Sequence, residues 1–248
     1  MIEFDIIIPA RLESTRLPGK VLRPIAGRPM LLHVLDRARE AGASRVIVAT
    51  DSDRIASVAR ESGADAIMTA TTHVSGTSRL SETVQRLGLA DERIVVNLQA
   101  DEPLMPPVCL RQVAELLAVD GTAAITTLCV PIRSKSEWMD PNAVKVVADE
   151  RGRALYFSRA PIPWQRDGDW PAETARRHLG LYAYRAGVLR GWSALPASRL
   201  EQIETLEQLR ALEAGLVIRV ADAREPVPPG VDTESDLQRV KRVLMNED

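Results

Sequence analysis

Cysteine and lysine are scarce in this sequence of 248 residues, and no long apolar run is present. The two cysteines, Cys109 and Cys129, lie in apolar segments without metal-ligand spacing or a Cys-x-x-Cys pair. We interpret them as small buried side chains in a reducing compartment. No apolar run reaches the roughly 20 residues that cross a bilayer, and the chain does not open with a basic segment followed by an apolar one. These absences predict a cytoplasmic protein without a membrane span or a signal peptide.

An excess of charge of either sign is also missing. Lysine and arginine total 32 and aspartate and glutamate total 34, so the net charge is −2. A general nucleic-acid-binding protein normally carries a basic face, and this balance argues against that class. Only four of the basic residues are lysines. This rarity draws attention to Lys20, although the base composition of the genome could produce the same skew.

Two phosphate-binding fingerprints are absent as well, the P-loop G-x-x-x-x-G-K-[ST] and the dinucleotide motif G-x-G-x-x-G. The second absence disfavours a dinucleotide-dependent dehydrogenase. In their place, a buried apolar strand over 4–8 is ended by Pro9 and followed by a polar loop. Loops at this position of α/β sheets bind ligands, and three cations there suit a polyphosphate, while a solvated basic loop is the alternative. The loop carries Arg11, Ser14, Thr15, Arg16, Gly19 and Lys20.

Alternating apolar patterns predict an α/β fold with a parallel sheet covered by helices on both faces. The length suits one large domain or a domain with a small lobe. Strands are predicted over 4–8, 45–49, 64–68, 93–98, 123–130, 178–185 and 216–220, with a hairpin of 143–148 and 153–157. One unbroken amphipathic helix is predicted over 201–214, with Ile203, Leu206, Leu209 and Leu212 inward.

Two aspartates lie at the boundaries of predicted elements. Asp101 comes just after the strand over 93–98, on the same rim of the sheet as the first loop. A carboxylate there suits Mg²⁺ beside phosphates, and a turn cap ahead of Pro106 is the alternative. Asp232 precedes the last helix, 237–245, where Thr233 and Asp236 have the spacing of a capping box. From the residues alone, a helix cap is the simpler interpretation of Asp232.

Two further polar stretches have open interpretations. The loop over 69–79 is dense in hydroxyls and suits a ligand, or it is an ordinary connection. On the strand over 178–185, His178, Gly180, Tyr182 and Tyr184 share one face. That face lines a polar pocket, or it belongs to a partly buried strand whose polar side-chain ends are hydrogen-bonded.

Together these pieces closely resemble the 3-deoxy-manno-octulosonate (KDO) cytidylyltransferases of lipopolysaccharide biosynthesis. The sialic acid cytidylyltransferases share the phosphate loop but not the whole set. The resemblance runs almost end to end. It is carried by the stretch 6–20, Ser75-Gly76-Thr77, Gln99-x-Asp101-Glu102-Pro103, Phe157-Ser158-Arg159-Ala160, His178-Leu179-Gly180-Leu181-Tyr182, Leu206-Glu207-Gln208-Leu209-Arg210 and Val231-Asp232-Thr233.

This resemblance implies a Rossmann-like nucleotidyltransferase over 1–248, with a mostly parallel mixed central sheet. It also implies a smaller lobe over about 132–190 that contributes sugar contacts and forms a homodimer. The implied reaction is a Mg²⁺-dependent transfer of CMP from CTP to the anomeric hydroxyl of KDO, with release of pyrophosphate.

Roles for individual residues are also implied by the resemblance. Arg11, Ser14 and Lys20 would hold the triphosphate, and Ser75, Gly76, Thr77 and Arg79 would read the cytosine and ribose. Asp101 and Asp232 would share the metal. The acid sugar would be bound by Gln99, Arg159, His178, Tyr182, Glu207 and Gln208, with Arg159 as the partner of its carboxylate.

Two positions depart from the family pattern. Ala100 stands where glycine is usual, which matters if that backbone needs a positive φ. Ser78 stands where an acidic residue usually precedes the arginine, so Arg79 loses an expected charge partner. Both departures touch the nucleotide end of the implied site, so the choice of base stays open. The alternatives to the implied reaction are a cytidylyltransferase for a KDO variant or a sialic acid, or a catalytically idle nucleotide-binding relative.

Overall fold

The computed structural model describes residues 2–13 and 17–245. Its strands are β1 (Phe4–Ala10), β2 (Pro24–Ile25), β3 (Arg28–Pro29), β4 (Arg45–Thr50), β5 (Asp65–Met68), β6 (Ile94–Asn97), β7 (Ile125–Pro131), β8 (Lys145–Ala148), β9 (Ala154–Ser158), β10 (Arg176–Arg185) and β11 (Ile218–Asp222). Its helices are α1 (Met30–Glu40), α2 (Asp53–Glu61), α3 (Gly76–Arg86), α4 (Pro107–Val119), α5 (Lys135–Met139), α6 (Ala186–Gly191), α7 (Arg199–Glu204), α8 (Gln208–Glu213) and α9 (Glu234–Met245).

The central sheet has the order β11-β7-β10-β6-β1-β4-β5, and β8 joins β10 to the hairpin strand β9. β1 runs parallel to β4 and β6, β4 to β5, and β7 to β11, whereas β10 is antiparallel to β6 and β7. The predicted mostly parallel mixed sheet is therefore confirmed. Because β1 and β6 are parallel neighbours, the segments that follow them leave the sheet at one rim.

Apolar clusters cover both faces of the sheet, as the alternation of strands and helices predicts. Ile6 and Ile8 of β1 pack in one cluster with α1 and α4, while Ile7 packs in the other with α3, α6 and α8. The strand thus alternates between two cores, which explains why all of its central residues are apolar. A smaller cluster of Ile132, Trp138 and Ala175 lies apart from both. The lobe over 132–190 stays a prediction, and β10 at its end belongs to the central sheet.

The prediction of one helix over 201–214 is wrong. The chain forms α7 and α8, separated by Thr205 in the left-handed conformation with φ 51°. The break shifts the helical register, so Ile203 is 71% exposed instead of inward, while Leu206 and Leu209 are buried as expected.

The loop over 69–79 is shorter than predicted, because α3 begins at Gly76. Ser75 is its N-cap and its hydroxyl accepts from the Ser78 backbone N–H, while the Ser78 hydroxyl accepts in return from the Ser75 N–H. The last residues of the predicted loop are therefore the first turn of a helix.

No helix among residues 2–13 and 17–245 combines the length and the apolar character needed to cross a membrane. Both cysteines are buried free thiols, as expected.

Candidate functional site

A cavity of about 290 Å³ opens at the rim where β1 and β6 end and α3 begins. Eight predicted site residues line it, although they come from four separate stretches of the chain. They are Arg11, Lys20, Ser75, Gly76, Arg79, Gln99, Asp101 and Asp232. The predicted phosphate ligand Ser14 lies outside the described residues.

At one end of this cavity a lysine meets two carboxylates. The Lys20 Nζ donates to Asp101 Oδ2 at 2.5 Å, to Asp232 Oδ1 at 3.0 Å and to the carbonyl of Val231 at 3.1 Å. Burial alone would lower the pKa of Lys20, but the two carboxylates outweigh it and raise this pKa above its ordinary value. The ammonium is therefore held charged between Asp101 and Asp232, which lie 131 positions apart in the chain.

Backbone contacts explain how two distant aspartates come together. The Val231 N–H donates to the Asp101 carbonyl at 2.8 Å. A Cβ at Gly230 would lie 3.1 Å from the same carbonyl oxygen, so this close approach favours glycine. Thr233 provides the cap of α9, since its hydroxyl accepts from the Asp236 N–H. The helix-cap interpretation of Asp232 is thus wrong, and its carboxylate lies at the cavity instead.

The end of the cavity formed by α3 contains a buried ion pair that the sequence did not suggest. Arg79 is 4% exposed and donates to Asp51 Oδ2 at 2.7 Å and to the Thr69 hydroxyl. Asp51 therefore supplies the charge partner that the acidic residue replaced by Ser78 was expected to provide. Sequence spacing could not show this contact, because Asp51 follows β4 while Arg79 lies in α3.

The second departure also leaves the site intact. Ala100 lines the cavity, and it is not among the described non-glycine residues with positive φ, which are Ala26 and Thr205. The alanine Cβ is therefore accommodated without backbone strain next to Asp101.

Replacing Asp51 by asparagine should destabilise the protein by about 3 kcal/mol, because a buried guanidinium loses its charged partner. Because the resemblance implies that Arg79 reads the nucleotide and Arg79 lines the cavity, we also expect weaker CTP binding. Urea unfolding and CTP titration measure the two effects. Asp53→Asn, an exposed acid in the first turn of α2, is the matched control and should cost less than about 1 kcal/mol. Equal effects of the two substitutions would contradict the assigned role of Asp51.

Of the predicted sugar ligands, Gln99 lines this cavity and Glu207 contacts the first turn of α3, whereas the other four do not line it. Glu207 accepts from the Ser75 hydroxyl and the Thr77 hydroxyl, both at 2.7 Å. Gln208 is 8% exposed at the start of α8. The Arg159 guanidinium donates to the carbonyls of Glu204, Pro141 and Thr205.

The aromatic face predicted on β10 is present. The His178 ring lies 5.3 Å from that of Tyr182, which lies 5.7 Å from that of Tyr184. Gly180 lies between His178 and Tyr182, where the pairing of β10 with β7 is irregular. Burial raises the pKa of Tyr182 well above its ordinary value, so its hydroxyl stays protonated as a hydrogen-bond donor.

Burial lowers the pKa of His178 to about 3, so the folded protein keeps this imidazole neutral. The unfolded chain, with an ordinary value near 6.5, takes up a proton as the pH falls below that point. The neutral His178 therefore costs the folded state nothing above pH 6.5. As the pH falls from 6.5 toward 3, the free energy of unfolding decreases, by about 2 kcal/mol at pH 5. An NMR titration should show no His178 titration between pH 8 and 5. A midpoint near 6.5 would refute the assignment.

Two other buried groups escaped the sequence analysis. Burial, reinforced by Asp101, raises the pKa of Glu102 to about 8. Lys145 is fully buried in β8 and donates to the carbonyls of Asp140 and Arg159. No local pattern distinguishes these residues from solvated charges, because their burial depends on distant segments.

Comparisons with known proteins agree with this geometry. The sequence profile of the cytidylyltransferase family matches residues 6–220. A 3-deoxy-manno-octulosonate cytidylyltransferase of Pasteurella multocida is 51% identical over 98% of this chain and 99% of its own length. The enzyme of that name from Serratia proteamaculans is 54% identical over 96% of this chain and 97% of its own.

A solved structure, that of a CMP:2-keto-3-deoxy-manno-octonic acid synthetase complexed with CTP, has a TM-score of 0.92 and 42% identity. The alignment covers 100% of both chains.

Proposed function

The chain belongs to the 3-deoxy-manno-octulosonate cytidylyltransferase family, and from that premise we propose that it transfers CMP from CTP to KDO and releases pyrophosphate. The product, CMP-KDO, is an activated sugar for lipopolysaccharide biosynthesis. The observation that carries the proposal is the convergence of Lys20, Asp101 and Asp232 at one end of the rim cavity.

The cationic residues of the first loop hold the triphosphate. Lys20 and Arg11 both line the cavity, and Ser14 belongs to the same loop in the sequence. Their charges oppose the negative charge that grows on the departing pyrophosphate. Because phosphoryl transfer is promoted chiefly by positioning and charge neutralisation, no side chain has to form a covalent bond with the nucleotide.

The donor set at the cavity fits Mg²⁺. Among the described residues no cluster of three or more His, Cys, Asp or Glu side chains could hold a metal. Mg²⁺ beside phosphates usually takes only one or two carboxylates and completes its shell with water and substrate oxygens. Asp101 and Asp232 would hold it. The chemistry that such an ion supplies is neutralisation of phosphate charge and activation of an oxygen nucleophile.

At the end of the cavity away from Asp232, Ser75, Gly76 and Arg79 bind the cytosine and ribose. Thr77 belongs to the same turn of α3 but does not line the cavity. The cavity carries uncharged donors and one buried guanidinium there, which suits the O2 and N3 acceptors of cytosine. Arg79 is fixed by Asp51, so its free donors keep one orientation.

The acid sugar is bound by the side chains that the resemblance implies for it. Arg159 uses three of its five N–H donors on backbone carbonyls, which leaves two for a carboxylate. Its direction is fixed before the sugar arrives. Sugar hydroxyls pair with Gln99, His178, Tyr182, Glu207 and Gln208. His178 acts there as a neutral imidazole, since its pKa is lowered to about 3 by burial.

We extend the proposal to assembly and location. Leu155 of β9 is 60% exposed and Trp164, in the segment after it, is 70% exposed. Large apolar side chains on one lobe favour a homodimer contact there. Two free thiols are consistent with the reducing cytoplasm.

Pyrophosphate release measured with CTP or UTP, and with KDO or a sialic acid, tests the proposal. We expect the fastest reaction with CTP and KDO, and none without Mg²⁺. A clear preference for sialic acid would move the enzyme to the related family of acid-sugar cytidylyltransferases. Absence of release from every pair would favour the idle relative, although the chain retains Lys20, Asp101 and Asp232.

A further inference from the structure

We propose that Glu207 is a positioning residue that anchors the first turn of α3 and thereby couples the nucleotide subsite to the acid-sugar subsite. The inference rests on the proposed function, because it takes the cavity wall formed by α3 as the place of the nucleotide. The resemblance gives Glu207 contacts to the sugar alone. In the structure its carboxylate has protein partners on the nucleotide side.

Both oxygens of Glu207 accept hydrogen bonds from distant elements. The Ser75 hydroxyl donates to Oε1 and the Thr77 hydroxyl to Oε2, each at 2.7 Å. The Trp192 indole N–H adds a third bond to Oε1 at 3.2 Å. Hydrogen bonds to an ionised carboxylate are stronger than neutral ones. One side chain from the start of α8 therefore holds the N-cap and the first turn of α3.

The anchored turn presents the nucleotide subsite. Ser75, Gly76 and Arg79 line the cavity, whereas Thr77 is 3% exposed and does not line it. The Thr77 hydroxyl, which also hydrogen-bonds Tyr184, thus acts on the nucleotide indirectly, by holding Glu207. A small displacement of the turn would move Arg79 and the cavity backbone together, which weakens a binding site built for one geometry.

The same carboxylate retains capacity for the sugar. A carboxylate accepts about four hydrogen bonds, and three are taken here, so one position remains for a sugar hydroxyl. A chain segment also links it to Arg159, because the carbonyls of Glu204 and Thr205 accept from that guanidinium. The segment 204–207 therefore touches α3 at one end and the proposed carboxylate partner at the other.

Thr205 explains why this segment could respond to ligands. Its φ of 51° is strained for a β-branched residue and persists only where the surroundings hold it. When nucleotide orders the first turn of α3, Glu207 and the segment before it are ordered too. Binding of the sugar then costs less, and by reciprocity the sugar strengthens nucleotide binding.

Calorimetric titration with CTP in the absence of sugar tests the anchor. Thr77→Val removes the hydroxyl without changing the side-chain shape. We expect about tenfold weaker CTP binding, the equivalent of one charge-assisted hydrogen bond. Thr83→Val is the matched control, because Thr83 is buried in the same helix and its hydroxyl donates to the Arg79 carbonyl instead. Its CTP affinity should stay within about twofold of the original.

A double substitution tests whether Thr77 acts through Glu207. Thr77→Val combined with Glu207→Gln should bind CTP no more weakly than Glu207→Gln alone. In turnover assays, Thr77→Val should raise the KM for both CTP and KDO more than it lowers kcat. A simple loss of folded enzyme would lower kcat and leave both KM values unchanged.

The inference is overturned if Thr77→Val binds CTP as tightly as Thr83→Val. It is also overturned if the loss of CTP affinity in the double variant equals the product of the losses in the two single variants. Failure of the proposed function would look different. It would appear as CTP binding without pyrophosphate release by the unsubstituted protein, and the comparison of CTP affinities would still decide the role of Glu207.

Discussion

Lys20→Met should reduce the turnover number by about 10³-fold or more. The substitution removes the cation that lies 2.5 Å from Asp101 and 3.0 Å from Asp232, and it removes a charge that opposes the departing pyrophosphate. Loss of one donor to a developing anion alone costs about 10²–10³-fold in other enzymes. Pyrophosphate release at saturating CTP and KDO measures the effect.

The fold should survive this change, because the Asp232 side chain is 47% exposed and its carboxylate can be hydrated. Lys135→Met is the matched control. Its ammonium pairs with Asp169, outside the lining of the cavity, and both side chains are more than half exposed. We expect unchanged turnover for that variant. If Lys20→Met retained more than a tenth of the activity, Lys20 would have no part in the transfer step.

Asp232→Asn should also abolish turnover, by about 10³-fold, while the protein still folds and binds CTP weakly. The amide keeps the shape of the side chain but removes one of the two charges that would hold Mg²⁺. We therefore expect the residual activity to require a higher Mg²⁺ concentration. A magnesium titration of pyrophosphate release separates this effect from a general loss of activity.

Glu234→Gln is the control for that variant, since Glu234 is two residues further along, is 53% exposed and pairs with Arg23. It should behave as the unsubstituted enzyme. An Asp232→Asn enzyme with normal turnover and an unchanged magnesium dependence would show that Asp101 alone holds the metal, or that the metal lies elsewhere.

The sheet and the rim could be predicted from the sequence because their signals are local. An apolar run ended by Pro9 marks β1, and the same pattern before Asp101 marks β6. Parallel neighbours end at one rim, so the placement of Asp101 beside the first loop followed from topology. The capping box of Thr233 and Asp236 was likewise visible, and the structure shows both of its hydrogen bonds.

What could not be predicted depends on contacts between distant segments. The local pattern predicted Asp232 as a helix cap, and only the family resemblance assigned it to the metal site. Asp51 was missed because its partner Arg79 lies 28 positions away, in another element. The break at Thr205 was missed because helix propensity describes residues 201–214 well, whereas the contacts of Arg159 and Glu207 favour an interruption.

The most direct test of the account is an anomalous difference map from crystals grown with CTP and Mn²⁺ in place of Mg²⁺. We predict one manganese peak within coordination distance of both Asp101 and Asp232, adjacent to the α-phosphate, with Lys20 beside the triphosphate. A peak that contacts neither aspartate, or a CTP molecule bound away from Lys20, would contradict the proposed site.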